Sequence, residues 1–206
     1  MKTLQQFIKE STTLKFIDLF DQAKFKIETK TDSTTDKTDR NSTAKKQEKE
    51  IVDQLNNKVF IDTNYKAITI EDYAESIGEK WSPKYDLENG DIVLIENDKP
   101  IAFIDVKVSD SSRTLGAISI KSLLHFGKNS KNHYYLLLSD KGFNHRFVDA
   151  NKLWKAFEKN PTLMVSKDRK NKIDFEASIK GWKNYQPDGF TYEEDFIPTS
   201  FIDKIN

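Results

Sequence analysis

Two short apolar runs constrain this chain more than any other feature. Ile92-Val93-Leu94-Ile95 follows Asp91, and Ile101-Ala102-Phe103-Ile104 precedes Asp105. Each run is continuous, rich in β-branched residues and bounded by turn formers, which is the pattern of a buried strand. Glu96-Asn97-Asp98-Lys99-Pro100 then reads as the hairpin loop between them.

The rest of the chain offers helices to cover such a sheet. Residues 1–9 and 13–27 read as helical, the second through the stripe Leu14, Ile17, Leu19, Phe20, Ala23, Phe25 and Ile27. Further helices are expected over about 44–58, with Ile51, Val52 and Leu55 on one face, and over 70–79, capped by Thr69 and ended by Gly78. Two more are expected over 115–127 and 151–159. His133 to Ser139 reads as a third buried strand and Arg146-Phe147-Val148 as a fourth, with a short extended piece within 59–68. Residues 81–90 read as a loop. Residues 162–179 read as a hairpin turned at 168–171, and 185–206 as an irregular aromatic tail. Residues 28–43 contain no apolar side chain and read as a polar flexible loop. The order is that of an α/β protein, a mixed β-sheet flanked by helices. The 206 residues fit a single domain with its core at about 44–150.

Composition removes several classes of function. The chain has no cysteine, which excludes a disulfide scaffold, a thiolate zinc site and a cysteine nucleophile. No apolar run approaches roughly 18 residues, so no membrane partner is expected. The first residues, MKTLQQFIKE, lack the apolar core of a signal peptide, and the expected location is cytoplasmic. The 33 basic and 33 acidic side chains balance, but unevenly along the chain. Residues 1–106 carry a net −5, residues 107–172 a net +9 and residues 173–206 a net −4. A basic middle between acidic ends suits contact with a polyanion, although a solvated lysine-rich surface has the same composition.

The chemistry gathers at the open end of the hairpin. If the loop is symmetric about Asp98, Asp91 lies opposite Asp105, with Cβ atoms about 4.5–5.5 Å apart. Lys107, two residues further, shares the face of Asp105. Opposed carboxylates repel unless a cation sits between them or one is protonated. Mg²⁺ accepts one or two carboxylates and keeps several waters, and a nearby ammonium can hold a water or offset charge on a phosphoryl oxygen. The simpler reading is a surface salt bridge, Lys107 with Asp105, and Asp91 facing water.

GDIVLIENDKPIAFIDVKVS resembles the active-site hairpin of the PD-(D/E)xK nuclease superfamily, in which an acid opens one strand and Asp/Glu-x-Lys follows on the next. Here these positions are Asp91 and Asp105-Val106-Lys107. The following helix and the YYLLL strand also fit that superfamily's core, and the likeness covers about 44–150. One departure is Gly90 where proline often precedes the first acid, and Asp86 is a rival for that acid. The resemblance implies a restriction-endonuclease-like fold, Mg²⁺ as cofactor, catalysis by Asp91, Asp105 and Lys107, and a further metal ligand from the preceding helix. Glu48 is favoured for that ligand because it shares the face of Ile51, Val52 and Leu55, whereas Glu50 does not. Glu71, Asp72 and Glu75 are weaker candidates. Ser109, Ser111, Ser112 and Arg113 could touch DNA phosphates, and Lys121, Lys128 and Lys131 could line the same side. His125, His133 and His145 show no metal-ligand spacing.

The expected function is a Mg²⁺-dependent endonuclease acting on double-stranded DNA, most like a homodimeric type II restriction endonuclease. Another nuclease of the superfamily (repair, junction-resolving or phage-encoded), a non-catalytic DNA-binding module of the same fold, and an interaction protein whose D-x-K is only a salt bridge stay open as alternatives.

Overall fold

The hairpin forms where the two apolar runs place it, and the remaining elements assemble around it. The structure is a computed structural model that describes residues 16–29, 37–109, 118, 122–127, 132–139, 145–159, 163–166 and 174–177. In chain order, helix α1 (16–22) is followed by α2 (Lys37–Gln54), which runs into a π-helical turn (Leu55–Val59). Strand β1 (Tyr65–Thr69), α3 (Ile70–Ser76) and α4 (Pro83–Asn89) come next. Strands β2 (Ile92–Glu96) and β3 (Lys99–Ser109) form the hairpin. A second π-helical turn (Leu123–Gly127), β4 (His133–Ser139), β5 (His145–Asp149) and α5 (Ala150–Lys159) follow. A separate antiparallel pair, β6 (Leu163–Ser166) and β7 (Asp174–Ala177), lies beyond them.

The main sheet has the strand order β1-β2-β3-β4-β5. Only β3 and β4 run parallel, and the other neighbours are antiparallel. A parallel pair needs a crossover, and here the crossover carries the Leu123–Gly127 turn. Strand β4 is buried at all seven positions, as its unbroken apolar middle requires. One face of the sheet, with Ile92, Leu94, Ala102, Ile104, Tyr134, Leu136 and Leu138, packs in a single cluster with Phe16, Phe20, Ile51 and Leu55 from α1, α2 and the turn that follows α2. Phe147 stacks between Phe20 and Tyr134, at ring-centroid distances of 4.1 and 4.9 Å. The mixed α/β sheet flanked by helices is thus as expected. Among the described residues no helix is long and apolar enough to cross a membrane.

Several local expectations are corrected. The hairpin turn is the two-residue Asn97-Asp98, both at positive φ (49° and 61°), so the strands extend further than the five-residue loop allows. A register shift between Leu94 and Ile95 then restores the pairing expected from symmetry about Asp98, with Ile92 opposite Ile104. Residues 23–28 are extended rather than helical: Ala23, Phe25 and Ile27 are buried while Lys24, Lys26 and Glu28 are exposed, a strict period of two. Helix α2 begins at Lys37, so 37–43 is not a loop. Residues 83–89 form α4, capped by Ser82 Oγ accepting from Tyr85 N (3.1 Å), with Pro83 in the first helical turn and Gly90 as the stop. The helix expected over 115–127 is described only at 118, which is not helical, and at 122–127, where Leu123–Gly127 is a π-helical turn. The helix over 1–9, residues 30–36 of the polar loop, and the tail 185–206 lie outside the described residues.

Candidate active site

Gly90 sets the geometry of the first acid. It ends α4 at φ 77°, and a Cβ on it would lie 2.7 Å from the Ile104 carbonyl oxygen and 2.9 Å from the Phe126 ring. Only glycine allows this close approach at this φ, which gives a physical reason for glycine where the resembled pattern often has proline. The next residue, Asp91, donates its backbone N–H to Ile104 O (2.8 Å), and its carbonyl accepts from Ile70 N (2.8 Å). Its carboxylate Oδ2 accepts the Val106 N–H at 2.6 Å. Asp91 therefore joins the start of α3 to β3, and its side chain is held beside the Asp-x-Lys segment rather than released to water.

Asp105 is buried and its side chain is tied on both sides. Lys107 Nζ pairs with Oδ1, and Ser122 Oγ donates to Oδ2 at 2.7 Å. Ser122 Oγ also lies 3.2 Å from the hydroxyl of Tyr135, which sits opposite Asp105 in the parallel β3/β4 register. Burial raises the Tyr135 phenol well above its ordinary value, so it stays protonated. The Lys107 side chain is part-exposed, while its ammonium is turned in to the buried Asp105 carboxylate. Burial pulls that ammonium's pKa down, but Asp105 and Asp91 outweigh burial and raise it, so Lys107 is a cation.

The remaining acids crowd the same region. Burial, then the charge of Asp105, pushes the Asp91 carboxyl well above the ordinary aspartate range, and Glu48 and Asp86 add to the effect. Glu48 is pushed up to about 7, first by burial and then by Asp86 and Glu71, against Lys45 and Lys107. Asp86 is raised by burial and by Asp105. Lys45 bonds Glu71 and lies 4.8 Å over the Trp81 ring. The cluster has more carboxyl groups than its two lysines can balance, and a divalent cation would favour their charged forms.

The structure brings together Asp91, Asp105 and Lys107, and places Glu48 within their electrostatic reach. It separates Glu48 from Glu50, because Glu50 accepts the backbone N–H groups of Glu28 and Thr29 (2.9 Å each) and is used in packing. The salt-bridge reading is met in its first half only: Lys107 pairs Asp105, but the half-buried Asp91 carboxylate is bonded to the Val106 N–H. Asp86 remains close by on α4. Ser109 is buried at the end of β3, opposite Ser139. Arg113, Lys121, Lys128 and Lys131 lie outside the described residues, as do Ser111 and Ser112. His145 Nε2 donates to the Phe20 carbonyl (2.7 Å), a structural contact. Sequence reasoning missed Ser122 and Tyr135. The available signal was the tyrosine itself, since a phenol in a fully buried strand needs a polar partner.

Comparison of the chain with protein-family models, with curated proteins and with solved structures finds no match. The donor set therefore has to be judged on its own chemistry. Among the described residues no three His, Asp or Glu side chains close together as a metal cage.

Proposed function

We propose that the chain is a Mg²⁺-dependent endonuclease that hydrolyses DNA phosphodiester bonds, of the PD-(D/E)xK type and with a restriction-endonuclease-like fold. One observation carries this reading. The Asp91 carboxylate bonds the backbone of Val106, between Asp105 and Lys107, and so gathers two acids and an ammonium at the open end of a buried hairpin.

Asp91 and Asp105 would hold the ion, and Glu48, expected as a further ligand, does not close with them into a three-acid group and would act on the site through its charge. When bound, Mg²⁺ would polarise a phosphoryl oxygen and acidify a water. The chain's own groups have separate tasks. Asp91 and Asp105 supply carboxyl oxygens held in place by hydrogen bonds. Lys107, held protonated, stabilises negative charge that develops on the phosphate and orients a water by donating to it. In this state it has no lone pair to act as a base. Gly90 and the Val106 N–H keep the first acid in place. A type II restriction endonuclease, acting as a cytoplasmic homodimer on a two-fold duplex site, is the finer form of the proposal.

Incubation of the purified chain with unmethylated phage DNA, with and without Mg²⁺, tests it. Discrete Mg²⁺-dependent fragments are expected. Lys107→Ala and Asp105→Asn should abolish cleavage while largely retaining DNA binding. Cleavage by Asp105→Asn at the unaltered chain's rate would overturn the site, and absence of cleavage in any divalent metal would overturn the activity.

A further inference from the structure

Asp105 is the only one of the three proposed catalytic side chains whose fixation, among the described residues, comes from elements outside the hairpin. Ser122 Oγ donates its one hydrogen to Oδ2 (2.7 Å), so the 3.2 Å contact with Tyr135 has to be donated by the phenol. A directed chain of donors therefore runs from Tyr135 through Ser122 to the carboxylate. All three residues are buried. Tyr135 comes from β4, and Ser122 from the residue just before the Leu123–Gly127 turn.

We propose that Ser122 and Tyr135 are positioning residues for Asp105, setting the rotation of its carboxylate so that Oδ1 is presented to Lys107 and to the bound cation. The proposal rests on the catalytic reading of Asp91, Asp105 and Lys107. An aspartate carboxyl rotates about a broad, roughly two-fold torsion, so packing alone does not fix the plane of the group. A donor on one oxygen does. In a buried setting donors linked in series polarise one another, so the phenol strengthens the hydroxyl's bond to the carboxylate. Groups that orient a metal ligand in this way typically matter about 10–100-fold in metal affinity or activity.

The test uses the full chain, with Mn²⁺ as the probe. Mn²⁺ affinity is read by electron paramagnetic resonance, and single-turnover cleavage of duplex DNA is followed across a Mn²⁺ titration. Ser122→Ala should raise both the Mn²⁺ dissociation constant and the Mn²⁺ needed for half-maximal cleavage by about tenfold or more. Affinity for duplex DNA without metal should be unchanged. Tyr135→Phe should shift both metal readings in the same direction by less, and Ser122→Thr, which keeps the hydroxyl, should recover most of the loss. A purely structural pair would lower the melting temperature and leave the metal requirement where it was, which overturns the proposal. If Ser122→Ala does not fold, Tyr135→Phe decides, since it removes one hydroxyl and no packing. If the unaltered chain neither binds Mn²⁺ nor cuts duplex DNA, the catalytic reading fails and this inference fails with it. If it does both, and the two variants match it, only this inference fails.

Discussion

Asp86 and Asp91 lie five residues apart on either side of a helix stop, and both feel the charge of Asp105. What distinguishes them is attachment. The Asp91 carboxylate accepts the Val106 N–H, which pins it beside the Asp-x-Lys segment. Asp86 contributes its backbone carbonyl to the end of α4, where it accepts Gly90 N at 2.7 Å. Asn at position 91 would keep an oxygen to accept the Val106 N–H while losing the charge. Asp91→Asn should therefore fold normally and cut duplex DNA about a hundredfold more slowly or worse, on the scale of losing one electrostatic contact in an active site. Asp86→Asn should change the rate by less than about tenfold. Single-turnover cleavage measures both, and the reverse order would make Asp86 the first acid. The choice was legible only in part. Strand parity put Asp91 opposite Asp105 without any structure, but α4 read as a loop and gave no direction for Asp86.

At the scale of elements, α2 does two jobs with two stripes. Ile51 and Leu55 enter the apolar core. Thr43, Gln47, Glu50 and Gln54, spaced four, three and four apart, form a polar stripe, and its last three members hold the extended segment 26–29. Gln54 accepts from Lys26 N and donates to Lys26 O (2.8 Å each), as a neighbouring strand would. Gln47 donates to Thr29 O at 2.9 Å. Helix α2 thus holds its neighbouring segment with polar groups that take the place of a strand. Gln54→Ala would leave both Lys26 backbone groups without these partners and should cost about 1–3 kcal/mol in urea unfolding. A loss near zero would mean that water replaces the amide. The alternation Ala23-Lys24-Phe25-Lys26-Ile27-Glu28 was visible in the sequence, yet its apolar members also fit the broad helical stripe that begins at Leu14. Only the facing amides of α2 decide between the two periods.

For the whole molecule, the excess of buried acid links stability to pH. Glu48 is raised from 4.5 to about 7, and Asp91 and Asp86 are raised as well. A folded state with raised carboxyl pKa values holds protons that the unfolded chain has released. The stability this contributes is full below about pH 4.5 and is lost as pH rises through about 7. Without divalent metal, the melting temperature should fall between about pH 5 and about pH 8. Glu48→Gln should flatten that slope, and Mg²⁺ at the upper end should restore stability by binding the folded state. A flat profile in the unaltered chain would show that these acids are not buried together. The sequence by itself determined the hairpin, the pairing at its open end, the shared face of Asp105 and Lys107, and the mixed sheet with helices around it. Each follows from strand parity, short apolar runs and turn residues, which act over a few neighbours along the chain. Tertiary structure alone decided that Glu50 is spent on the backbone of Glu28 and Thr29, that residues 23–28 are extended, and that Ser122 and Tyr135 reach Asp105. Those contacts join elements far apart in sequence, and their partners are set by the crossover between β3 and β4 and by how α2 lies on the sheet, which no local pattern encodes.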